Sequence, residues 1–67
     1  MSEQGKELGK EASKHLSNAE QSLKRAAEYT KQAGDGGTTK QIEKIQKDVS
    51  TTRTDLDKKV SGDPKNG

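Results

Sequence analysis

The sequence of 67 residues predicts an all-α fold: an antiparallel, coiled-coil-like two-helix hairpin with an alanine-rich seam. Three observations carry this. Alanine recurs at Ala12, Ala19, Ala26 and Ala33, an unbroken seven-residue spacing that sets a stripe along one side of a helix. Ile42, Ile45, Val49, Thr52 and Leu56 recur at alternating spacings of three and four. Between the two patterns stands Gly34-Asp35-Gly36-Gly37, a strong helix-breaking signal. One domain spans 1–67, because a chain this short holds at most one modest core.

The first helix is expected over about 3–33. Its seven-residue pattern places Gly9, Leu16, Leu23 and Thr30 on one line and the four alanines on the next. Glu, Lys, Gln, Leu and Ala, all strong helix formers, fill most of the rest. Its start reads as a tetrad, Glu3-Gln4-Gly5-Lys6, Glu7-Leu8-Gly9-Lys10 and Glu11-Ala12-Ser13-Lys14, in which each Glu precedes a Lys by three. Such pairs contribute a few tenths of a kcal/mol each, whereas each glycine costs about 1 kcal/mol relative to alanine. Fraying is therefore expected up to Gly9.

The turn is expected over 34–38, with Gly34 as a left-handed cap. Thr38-Thr39-Lys40-Gln41 reads as a capping box opening a second helix over about 39–60. Ser61-Gly62-Asp63-Pro64 ends it, and 61–67 reads as a disordered tail. Folding about Asp35-Gly36 brings Leu23 near Val49 and Leu16 near Leu56, in a register defined only to within half a heptad. The expected seam is Ala12, Leu16, Ala19, Leu23, Ala26 and Ala33 against Ile42, Ile45, Val49 and Leu56. A second seven-spaced row of Leu8, His15, Ser22 and Tyr29 lies beside it. That row is a partner-facing candidate, able to join two hairpins into a four-helix bundle.

Chemistry is sparse. There is no cysteine, so no disulfide or thiolate function is expected. His15 is the lone histidine, with only Glu11 one turn away, too few ligands for a metal. No nucleophile triad, phosphate loop or calcium loop is present, and enzyme activity, a cofactor and a small-molecule substrate are not expected. The pI near 9.0 raises nucleic-acid binding. Thirteen basic residues interleave with eleven acidic ones, however, and one aromatic makes no stacking platform. A salt-bridged surface is the better reading. No apolar run reaches the length of a bilayer span, and an alanine-rich face without Trp or Phe is a poor membrane anchor. The opening Met1–Lys6 lacks the order of a signal peptide, so a cytoplasmic location is expected.

Two function classes remain. One is a small helical interaction module that self-associates or binds another helical protein. The other is a hydrophilic stress or spore-type protectant, largely disordered when free. Leu, Ile and Val supply eight residues and there is no Phe, which places the chain near the disorder border. In its glycine content, very negative mean hydropathy and repeated tetrad over 3–14, the chain resembles the composition of late-embryogenesis and hydrophilin-type proteins. That resemblance implies a protectant without a stable fold.

Overall fold

The computed structural model describes residues 2–62. The tail expected over 61–67 lies outside the described residues from residue 63 onward. Two helices, α1 (Glu3–Gln32) and α2 (Gly36–Val60), pack against each other as a hairpin. Cross-helix hydrogen bonds join Ser13 to Asp57 and Thr30 to Thr39, so the helices run antiparallel.

α1 is helical from Glu3. Ser2 caps it, its hydroxyl accepting from the Gly5 N–H at 3.0 Å, and Glu3 sits in the positive first turn. Gly9 is buried. It shares a line with Leu16 and Leu23, so the turn that lacks helix propensity is the one brought against α2.

The turn is tighter than the sequence suggests. Gly34 has φ +80°, the left-handed conformation that glycine adopts without steric cost. Its N–H donates to the Lys31 carbonyl at 3.0 Å, and the Asp35 N–H donates to Thr30 at 2.9 Å. These bonds are the Schellman arrangement. Asp35 also caps α2, its carboxylate accepting from the Thr38 N–H at 3.1 Å. The cap is therefore Asp35 rather than Thr38, and the connection shrinks to Ala33-Gly34-Asp35. Asp is as good a cap as Thr or better. Placing it here also lets one residue finish α1 and start α2, drawing Gly36 and Gly37 into the first turn. At the far end Gly62 repeats the device, with φ +72° and its N–H donating to Lys59 at 3.2 Å.

The packed line follows alternating spacings of three and four on both helices. On α1 it comprises Gly9, Ser13, Leu16, Glu20, Leu23, Ala27 and Thr30; on α2, Thr39, Ile42, Gln46, Val49, Arg53, Leu56 and Val60, all buried or partly buried. Leu23 lies one turn after Glu20, and Val49 one turn before Arg53. The Glu20–Arg53 contact thus brings Leu23 level with Val49, and Leu16 level with Leu56.

The core is thin. Among the described residues the buried hydrophobic side chain is Ala27 and the buried polar one is Thr39, and no large side chain is fully buried. The molecule is a slab, 47 × 21 × 9 Å.

Candidate interaction surface

Polar side chains hold the two helices in register. Arg53 Nε donates to Glu20 Oε2 at 2.5 Å, and its Nη1 reaches Asp57 Oδ2 at 3.4 Å. Asp57 Oδ1 accepts from the Ser13 hydroxyl at 2.6 Å. The Glu20 hydrogen bond and charge raise the affinity of Arg53 for its proton, against partial desolvation. Nearer the turn, the Thr30 and Thr39 hydroxyls meet at 2.6 Å. Thr30 also faces the Ala27 carbonyl at 3.0 Å and Thr39 the Asp35 carbonyl at 2.9 Å. Two hydroxyl protons serve three contacts, so two of the three are made at any instant.

Of these polar residues Thr30 alone falls on the leucine line read from the sequence, whereas Glu20 and Arg53 read as surface charges. One signal does mark them. Glu20 sits between Leu16 and Leu23, and Arg53 between Val49 and Leu56, at the spacings that keep a residue on the packed line.

The expected seam splits. Leu16, Leu23, Ile42, Val49 and Leu56 are partly buried against the partner helix, as are Ala19 and Ala26 at its margin. Ala12 and Ala33 are exposed, and Ile45 is 50% exposed. Thr52 and Lys59, on the same line as Ile45, are exposed too, while Val60 is partly buried. The physical reason lies in which flank of the leucine line meets α2. The flank bearing Ser13, Glu20 and Ala27 brings hydrogen-bonding partners together, whereas an alanine ladder offers one methyl group per turn.

The two broad sides of the slab consequently differ. One carries an open groove lined by Lys24, Ala27, Glu28, Lys31, Thr39 and Glu43, and is charged. The other carries the alanine line of α1 and, by helical geometry in an antiparallel pair, the Ile45 line of α2. The row next to those alanines faces solvent: Leu8 is 64% and Tyr29 68% exposed, and His15 and Ser22 are exposed.

Among the described residues no three His, Cys, Asp or Glu side chains converge as a metal site, and no helix is long and apolar enough to cross a membrane. The chain matches no protein-family model, no curated protein and no solved structure.

Proposed function

We propose that the chain is a small, non-catalytic helical interaction module of the cytoplasm, which works by presenting one face of its hairpin to itself or to another helical protein. One observation carries the reading. The large apolar side chains Leu8, Tyr29 and Ile45 are turned outward, while the packed line spends positions on Glu20, Arg53 and Gln46. A hairpin optimised to stand alone gains most from the reverse distribution, since apolar burial is the main favourable term in folding.

Circular dichroism of the full chain, read across a hundredfold concentration range, tests this. Helical spectra that strengthen with concentration or with an added helical partner support it. A coil spectrum unmoved by either sinks it. That result leaves the second reading, a hydrophilic protectant disordered when free, which the thin core favours: with Ala27 the only buried hydrophobic side chain among the described residues, little opposes chain entropy.

A further inference from the structure

The alanine line and the exposed row beside it form one continuous stripe on α1: Leu8, Ala12, His15, Ala19, Ser22, Ala26, Tyr29 and Ala33. Spacings of four and three alternate along it, the pattern of a helix-pairing stripe. No Asp, Glu, Lys or Arg interrupts these eight positions in a chain that is 36% charged. The corresponding line of α2 is interrupted by Asp48, Asp55 and Lys59. The uncharged half of the face therefore belongs to α1.

We infer that the occupant of this stripe is a second copy of the same chain, paired antiparallel, α1 against α1, about a two-fold axis between Glu20 and Gln21. This rests on the interaction-module reading and names its partner. The argument is steric self-complementarity. In that register Leu8 of one copy meets Ala33 of the other, Ala12 meets Tyr29, His15 meets Ala26, and Ala19 meets Ser22. Every large side chain faces an alanine, and the two-fold makes each pairing occur twice. No such match arises in parallel, where Leu8 meets Leu8 and Tyr29 meets Tyr29.

The available area fits a modest dimer. A face of 47 by 21 Å offers about 1,000 Å² per copy, and its α1 half about 500 Å². An α1-to-α1 pairing therefore covers about 1,000 Å² in total, the size of a weak interface. The pairing also covers Leu8 and Tyr29, two of the three exposed large apolar residues among those described.

Two single variants of the full chain, His15→Cys and Ala26→Cys, are mixed under mild oxidation, alongside sedimentation equilibrium of the unmodified chain. The expected results are a dimer and a disulfide joining His15→Cys to Ala26→Cys, in preference to either like-with-like product. A parallel pairing gives the like-with-like products instead and overturns the register. A chain that is helical yet monomeric at hundreds of micromolar overturns the second copy as occupant while leaving the interaction-module reading standing. A coil at every concentration overturns that reading itself. Ser22→Glu supplies a control without touching the hairpin contact, since Ser22 is exposed. It sets a carboxylate against Ala19 beside its symmetry mate, and the dissociation constant should rise at least tenfold.

Discussion

Asp35 joins two helices with one side chain, and its titration should be visible. Thr38, through its side chain and then its backbone N–H, holds the Asp35 carboxyl below its ordinary value of 3.8. The carboxylate also faces the positive end of α2. A carboxyl lowered in the folded state contributes stability that is fully present above its unfolded pKa. That contribution fades as pH falls through the lower folded value. Helicity followed by circular dichroism should therefore be level in this respect above about pH 5 and fall below pH 4. Asp35→Asn keeps a capping oxygen that does not titrate. The difference between the two chains should vanish at low pH and open as the carboxyl ionises. A difference independent of pH would show that Asp35 acts through its shape alone.

At the scale of the element, α1 and α2 are matched by alternating apolar and polar levels, and the polar ones select the register. Leu23 and Val49 would tolerate a slip of two turns, which sets Leu23 against Ile42 or Leu56. Glu20 and Arg53 would not, since such a slip separates them by about 11 Å. Arg53→Glu should lower the melting temperature by setting like charges together, and Glu20→Arg in the same chain should recover most of the loss. Leu23→Ala, in contrast, removes partly buried surface and should cost about 2 kcal/mol, with no rescue from any charge change. Thermal melts of these three variants beside the unmodified chain separate the two kinds of contribution. These levels also explain which parts of the fold were legible in the sequence. Leu16, Leu23, Ile42, Val49 and Leu56 announce the pairing by period, but its level only to within half a heptad. Which flank joins them does not follow from hydropathy, because Ala12, Ala19 and Ala26 look more suitable than Ser13, Glu20 and Ala27. The choice is made by hydrogen-bond partners on the other helix, visible only once the two are laid side by side. Asp35 was obscured for a related reason: the capping signal of Thr38 and Gln41 is genuine, but a nearer residue could cap both helices.

The whole molecule is a thin slab with a charged side and an alanine-lined side, and its stability should depend on how much of it there is. In a monomer the melting temperature is independent of concentration. In a dimer that unfolds to two free chains, each tenfold increase in concentration adds about 1.4 kcal/mol per dimer, or about 0.7 kcal/mol per chain. For domains of 60–100 residues, about 1 kcal/mol moves the melting temperature by about 4–8 °C. The midpoint should therefore rise by about 3–6 °C per decade of concentration, and by a similar step in the next decade. Ser22→Glu should flatten that slope, because it disturbs the outer stripe of α1. Arg53→Glu should lower the curve while leaving much of its slope, because it disturbs the contact with α2. Two variants with opposite effects on height and slope would separate the hairpin interface from the face by which hairpins meet. A flat line for the unmodified chain would mean that the hairpin, thin as it is, stands alone.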